Sequence, residues 1–160
     1  MDTLIALVTD VGRILRRQRM MLACAESCTG GLVCATLTQL PGSSEWFDSG
    51  YITYSNEAKI HMLGVNKHSL ETFGPVSEEV VRQMAEGAAR QSHVQAGLAV
   101  SGIAGPGGGT SENPVGTVWF AWHLANGRTR SKVERIGGSR IDVQQGAVII
   151  ALQGLIDILS

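Results

Sequence analysis

Apolar and polar positions follow helical and strand periods in alternation along the chain. From Leu4 to Leu15, apolar residues recur every three to four positions, which predicts an amphipathic helix. The uninterrupted apolar run from Met20 to Ala25 predicts a buried strand. The same patterns then predict, in order, a helix at 32–40, a strand at 50–54, a helix at 56–62, a short helix before Gly74, a helix capped by Ser77 and a strand at 97–100.

The pattern changes after residue 100. Segments 115–124 and 129–136 have the composition of strands, and Asn126-Gly127 between them is typical of a tight hairpin turn. A final helix is predicted after Gly137-Gly138, with its apolar face running from Val143 to Ile158. Alternating strands and helices imply parallel strands, whereas a hairpin introduces an antiparallel one. The sequence therefore predicts an α/β fold with three layers, α/β/α, around a mixed sheet, and we expect residues 1–160 to form one domain.

Composition and charge exclude several classes of function. The chain has 160 residues, of which 44% are apolar and 17% charged, and its formal net charge is −1. A near-neutral chain without a large basic cluster is not expected to bind nucleic acid or an anionic membrane. The apolar stretch from Ala147 to Leu159 is interrupted by Gln153 and Asp157, and the N-terminus lacks a secretory pattern. We expect a cytoplasmic protein.

Cysteines and histidines indicate neither disulfides nor a metal site. The three cysteines lie among small apolar residues, which favours reduced thiols: Cys24, Cys28 and Cys34. The four histidines lack the spacing of metal ligands: His61, His68, His93 and His123. The sequence thus predicts no metal and no cofactor.

The first candidate motif for chemistry is the segment 25–31, Ala-Glu-Ser-Cys-Thr-Gly-Gly, between a predicted strand and a predicted helix. A serine here would lie at the carboxyl edge of the sheet, where open α/β folds bind ligands, and the N–H groups of the helix start would face an oxyanion. Alternatively, Ser27 or Thr29 only caps the helix. Cys28 is a rival nucleophile, ranked lower because no histidine lies in the nearby motifs.

The second motif ends a strand with Tyr54 and places Lys59 in the first turns of the following helix. A lysine acts as a base only when burial or neighbouring positive charge lowers its pKa, and a helix N-terminus supplies such positive potential. The alternative is a solvated helix lysine, the common position of this residue type.

Two further motifs leave two interpretations each. The glycine-rich loop from Gly102 to Gly109 lacks the pattern of a nucleotide-binding loop; it is either a backbone nest for an anion or a mobile surface loop. Arg140, at the start of the last helix, either holds a carboxylate or phosphate or is an exposed arginine.

Taken in order, these motifs resemble the C-terminal domain of the competence/damage-inducible protein CinA and its stand-alone relatives, the PncC-type nicotinamide-nucleotide amidohydrolases. The resemblance extends from segment 25–31 through 41–44, 54–59, 74–77, 101–106 and 114–117 to Arg140. It implies a three-layer α/β/α fold with a mixed, mostly parallel five-stranded sheet that has one antiparallel strand. It also implies hydrolysis of the carboxamide of nicotinamide mononucleotide to nicotinate mononucleotide and ammonia.

The resemblance also implies roles for individual residues. Ser27 matches the nucleophile, Lys59 its general base, and Tyr54 a proton-relaying or orienting hydroxyl beside them. Arg140 matches an arginine near the substrate. The remaining substrate-binding positions implied are Thr29, Gly30, Gly31, Gly102, Ala104 and Gly105.

Two positions depart from the family's pattern. Members commonly carry an acidic residue before the arginine and a second arginine four residues after it, where this chain has Ser139 and Gln144. Two functions are therefore considered. The chain is either an amidase acting on a pyridine mononucleotide, or a paralogue that binds the nucleotide without turnover and serves competence or DNA-damage responses. The complete set of Ser27, Tyr54 and Lys59 favours the enzyme, and a homo-oligomer is compatible with either.

Overall fold

In the computed structural model, which describes residues 2–160, helices and strands follow the predicted order. The helices are α1 (Asp2–Gln18), α2 (Leu32–Leu37), α3 (Asn56–Leu63), α4 (Lys67–Phe73), α5 (Glu78–Ser92) and α6 (Arg140–Leu159). The strands are β1 (Leu22–Glu26), β2 (Phe47–Ile52), β3 (Ala96–Gly102), β4 (Thr117–Leu124) and β5 (Thr129–Arg135).

One five-stranded sheet forms the middle layer, in the order β2-β1-β3-β4-β5. Strand β1 pairs in parallel with both β2 and β3, while β4 pairs antiparallel with both β3 and β5. Four strands therefore run in one direction and β4 in the other, which confirms the mixed, mostly parallel sheet. As a result, the ends of β1, β2 and β3 and the start of β4 lie at the same edge.

Helices cover both faces of the sheet and give two buried clusters. On one face α1, α2 and α6 enclose the larger cluster, which includes Val11, Phe120 and Leu152. On the other face α3, α4 and α5 enclose the smaller one, around Met84. Helix α5 lies so close to the sheet that a Cβ at Gly97 would collide with the main chain of α5. Among residues 2–160, only α6 is long and apolar enough to span a membrane, and one of its faces packs in the larger cluster.

Two elements differ most from their predicted bounds, and the bounds of β1, β3 and β4 differ by one or two residues. Helix α2 ends at Leu37 rather than Leu40, because the hydrogen bond from Gln39 N–H goes to Thr36 and tightens the last turn. Strand β2 runs over Phe47–Ile52 instead of 50–54. Pairing with β1 decides its bounds: the last pair is Glu26 with Ile52, so Tyr54 lies beyond the strand.

Candidate active site

Three chain segments meet where the parallel strands end. Ser27 follows β1 directly, and its N–H donates to the carbonyl of Val100 in β3 at 3.0 Å. The segment after β2 leads into α3, which carries Lys59. The loop from residue 103 to 116 connects β3 to β4 at the same edge. Parallel strands thus bring residues far apart in sequence into one place, as is usual for ligand sites in α/β folds.

Ser27 and Lys59 are in direct contact. The distance between Lys59 Nζ and Ser27 Oγ is 3.1 Å, and the same Nζ donates to the carbonyl oxygen of Thr53 at 2.8 Å. The predicted proximity of the two side chains is confirmed, whereas their catalytic roles stay predictions. A distance of 3.1 Å suits a hydrogen bond in either direction, so a neutral amine could accept the serine proton.

Lys59 is buried, with 1% of its surface exposed, so the solvated-lysine alternative is wrong. Burial lowers the pKa of its ammonium from an ordinary 10.5 to about 8. No carboxylate forms an ion pair with Lys59 in the part of the chain that the structure describes. Removal from water is therefore the main reason that this lysine loses its proton more readily than an ordinary one.

Glu26 organises the turn that carries Ser27, a role that the sequence reasoning missed. Its fully buried carboxylate accepts hydrogen bonds from the hydroxyl of Thr29 and from the backbone N–H groups of Gly31, Val33 and Cys34, at 2.6–3.1 Å. The start of α2 is thus capped by Glu26, not by Ser27 or Thr29. A glutamate at the end of a strand just before a helix was the available signal, because carboxylates are favoured at helix N-termini.

Glu26→Gln is expected to destabilise the fold by about 2 kcal/mol, because the amide cannot accept all four hydrogen bonds and leaves buried donors unpaired. For a chain of this size we expect the melting temperature to fall by about 4–8 °C. Thermal unfolding measures the effect, with Glu71→Gln on the exposed surface of α4 as control. Equal melting temperatures for the two variants would contradict the capping role.

The contacts of Glu26 also correct part of the predicted pocket. The pocket is an open cleft of about 310 Å³, and Thr29, Gly30 and Gly31 do not line it. The hydroxyl of Thr29 and the N–H of Gly31 are engaged by Glu26, so they are not available to a ligand. The predicted oxyanion site at the start of α2 is wrong for the same reason.

The residues that line the cleft include most of the other predicted positions. Gly102, Ala104 and Gly105 border it, as expected from the resemblance. The full lining also contains residues not predicted as binding positions: Cys28, Asn56, Pro75, Val76, Ser101, Ile103, Gly107 and Gly108. Cys28 lines the cleft directly beside Ser27, and neither its N–H nor that of Thr29 donates to another residue in the described part of the chain.

Tyr54 and Arg140 contact each other rather than the serine–lysine pair. Arg140 donates to the Tyr54 hydroxyl at 3.0 Å and to the carbonyl of Gly105 at 2.6 Å. Tyr54 is 63% exposed, and its hydroxyl makes no hydrogen bond to Ser27 or Lys59. Arg140 therefore ties the glycine-rich loop to Tyr54 at the mouth of the cleft.

Cys28 is poorly suited to be the nucleophile. Burial, above all, raises the pKa of its thiol to about 12, so the thiolate is scarce at neutral pH. Cys24, Cys28 and Cys34 are all free thiols, as predicted. No group of three or more His, Cys, Asp or Glu side chains within residues 2–160 is arranged to hold a metal ion.

Fold and site together define an α/β/α protein with a buried serine–lysine pair at the carboxyl edge of its sheet. The chain belongs to the CinA C-terminal domain family, whose model matches residues 5–159. It is 45% identical over 152 residues to the nicotinamide-nucleotide amidohydrolase PncC of Escherichia coli K12, covering 95% of this chain and 92% of that protein. It is 48% identical over 143 residues to a CinA-like protein of Akkermansia muciniphila, covering 89% of this chain but 34% of that protein.

Solved structures show the same fold. The competence/damage-inducible protein CihA of Agrobacterium tumefaciens superposes with a TM-score of 0.96 at 40% identity, covering 99% of this chain and 96% of that one. A CinA-superfamily protein of Klebsiella pneumoniae gives a TM-score of 0.94 at 36% identity, covering 99% and 98%. The five-stranded α/β/α architecture is therefore that of the CinA superfamily.

Proposed function

We propose that this chain hydrolyses the carboxamide of nicotinamide mononucleotide, giving nicotinate mononucleotide and ammonia. The similarity to PncC amidohydrolases along nearly the full chain supports this substrate. The observation that carries the mechanism is the 3.1 Å contact between Ser27 Oγ and the buried Lys59 Nζ in the wall of an open cleft.

The proposed reaction proceeds through an acyl-enzyme. Neutral Lys59 takes the proton of Ser27 as Oγ attacks the carboxamide carbon, and the resulting ammonium gives that proton to the amide nitrogen, which leaves as ammonia when the C–N bond breaks. Water then attacks the ester with Lys59 again as base, releasing the carboxylate and restoring Ser27. The carbonyl of Thr53 holds one Nζ–H and so directs the lysine towards Ser27. The N–H groups of Cys28 and Thr29, which donate to no other described residue, are the proposed oxyanion donors.

Arg140 is the proposed contact for the phosphate of the nucleotide. Its guanidinium is exposed at the mouth of the cleft, and planar N–H donors suit a phosphate. The same guanidinium donates to Tyr54 and Gly105, so phosphate binding would replace one or both of these contacts.

Ammonia release from nicotinamide mononucleotide by the purified protein tests the proposal. Free nicotinamide, which lacks the ribose phosphate, is the control and is expected to react much more slowly. Nicotinate mononucleotide should form in equal amount to ammonia. Binding of the nucleotide without ammonia release at any pH would reject the enzyme and support the binding paralogue.

We expect kcat/KM to rise with pH and to reach half its maximum near pH 8. The lowered pKa of Lys59 has this consequence because only the neutral amine can accept a proton, and at pH 7 roughly a tenth of the lysine is neutral. A rate profile from about pH 6 to about pH 10 measures it, with circular dichroism at each pH to show that the fold persists. A profile that is flat or falls between pH 7 and pH 9 would argue against Lys59 as the base.

A further inference from the structure

Gln144 makes a contact that the proposed reaction does not use. Its side-chain Nε2 donates to the backbone carbonyl of Cys28 at 3.1 Å, joining α6 to the turn that carries Ser27 across 116 residues of sequence. The side chain is partly buried, whereas its neighbour Gln145 on the same helix is exposed. A half-buried amide that reaches the residue next to a nucleophile is in a position to control the geometry of that turn.

Hydrogen bonds hold three successive peptide planes in the turn at Ser27. The N–H of Ser27 donates to Val100, which fixes the plane before the serine. The carbonyl of Ser27 accepts from the N–H of Gly30 at 3.1 Å, which fixes the plane after it. The next plane, between Cys28 and Thr29, is held through its carbonyl by Gln144.

Holding that carbonyl sets the direction of one N–H group and its angle to a second. A trans peptide is planar, so the Cys28 carbonyl and the Thr29 N–H are fixed together. The N–H of Cys28 lies in the preceding plane, which Gly30 holds, so the contact from Gln144 fixes the backbone dihedrals of Cys28 and the angle between the two N–H groups. These two N–H groups are the donors beside Ser27 that no other described residue uses.

Helix α6 connects this turn to the substrate side of the cleft. Residues four apart lie on the same face of a helix, so Gln144 is one turn away from Arg140. Arg140 contacts Gly105 and Tyr54, while Gln144 contacts Cys28. One face of α6 therefore sets the distance between Arg140 at the mouth of the cleft and the turn that carries Ser27.

We propose that Gln144 is a positioning residue, which orients the Cys28–Thr29 peptide so that the N–H groups beside Ser27 meet the developing oxyanion. This inference rests on the proposed function. It predicts a selective effect: without Gln144 the transition state loses alignment, while the substrate contacts at Arg140 remain. The amide of Gln144 itself need not touch the substrate.

Gln144→Met removes the N–H donor at nearly the same side-chain length and without a change of charge. We expect kcat for nicotinamide mononucleotide to fall by about 10–100-fold, because small misalignments of reacting groups cost rates of this order. KM and the melting temperature should stay close to those of the unmodified chain. Gln145→Met, the same substitution one residue later on the exposed side of α6, is the matched control.

A second measurement does not depend on the substrate. A fluorophosphonate that labels activated serines forms an anionic phosphoryl oxygen in its transition state, so its reaction with Ser27 needs the same donors. Mass spectrometry of the Ser27 peptide gives the labelling rate, with Ser27→Ala as blank. We expect Gln144→Met to be labelled about tenfold more slowly than Gln145→Met.

The outcomes separate this inference from the proposed function. If the unmodified chain releases no ammonia from nicotinamide mononucleotide, the function fails, yet the labelling rates still decide the role of Gln144. Equal kcat and equal labelling in the two methionine variants would overturn the inference and leave the function standing. A raised KM with a lowered melting temperature would show a merely structural contact and overturn it too. Absence of labelling at Ser27 in the unmodified chain would overturn it as well.

Discussion

Lys59→Met is expected to lower kcat for nicotinamide mononucleotide by about 10²–10⁴-fold, because it removes the proposed acceptor of the Ser27 proton. Methionine has nearly the length of lysine and fits an apolar site, so the fold should persist. The substitution also removes a group whose pKa is lowered to about 8 by burial. A lysine whose pKa is lower in the folded chain than in the unfolded chain is harder to protonate when the chain is folded. At pH 7, below both pKa values, its positive charge therefore lowers the free energy of unfolding. The melting temperature at pH 7 should therefore not fall on this account.

Lys59→Arg tests whether Lys59 is needed as a proton acceptor or only as a positive charge. A guanidinium stays protonated, so it supplies a cation near Ser27 but no proton acceptor. We expect turnover as low as in Lys59→Met, although the larger group has to fit in a buried site. Lys67→Met on the exposed start of α4 is the control for loss of a lysine in general. Near-normal turnover in Lys59→Arg would mean that the lysine is needed only as a charge.

The contact between Ser27 and Lys59 could be anticipated because parallel topology determines it. Two strands that run in parallel end at one edge, and the residues that follow β1 and β2 must then be neighbours. The glycine-rich loop could be placed there too, because β3 ends at the same edge. Helix α5 and its cap at Ser77 were predicted for a different reason: apolar spacing and a capping serine are local signals.

Contacts that depend on side-chain geometry could not be anticipated. The Glu26 side chain turns back onto the start of α2 and accepts hydrogen bonds from backbone N–H groups there. The N–H of Gly31 is therefore not available to a ligand. Tyr54 extends past the end of β2 to Arg140, because pairing with β1 ends the strand two residues earlier. The burial of Lys59 follows from the packing of α3 near the sheet edge, and a lone lysine in a sequence gives no sign of it.

The departures from the family pattern now have structural explanations. Ser139 caps α6: its hydroxyl accepts from the N–H of Asp142, whose carboxylate accepts from the N–H of Ser139. Gln144 binds the carbonyl of Cys28. Neither substitution removes a group from the contact between Ser27 and Lys59. The departures alone therefore do not favour a binding paralogue over an enzyme.

Ser27→Ala is expected to lower kcat by about 10⁴-fold or more, because the proposed acyl-enzyme cannot form without the hydroxyl. The nucleotide should still bind, since the proposed phosphate contact at Arg140 lies at the mouth of the cleft and is untouched. Isothermal titration with nicotinamide mononucleotide separates these two effects. Ser44→Ala, at an exposed serine, is the control for the substitution itself and should retain full turnover.

The double variant Ser27→Ala/Lys59→Met is expected to be scarcely slower than either single variant. In the proposed mechanism Lys59 acts by accepting the proton of Ser27, so once the hydroxyl is gone the loss of Lys59 has little further effect on kcat. Comparing the three kcat values in a double-mutant cycle measures this dependence. Losses that multiply would show that the two residues act independently, and Lys59 would then need a role away from Ser27. Turnover retained in Ser27→Ala but abolished by a thiol-alkylating reagent would assign the covalent step to Cys28, against the high pKa that burial gives its thiol.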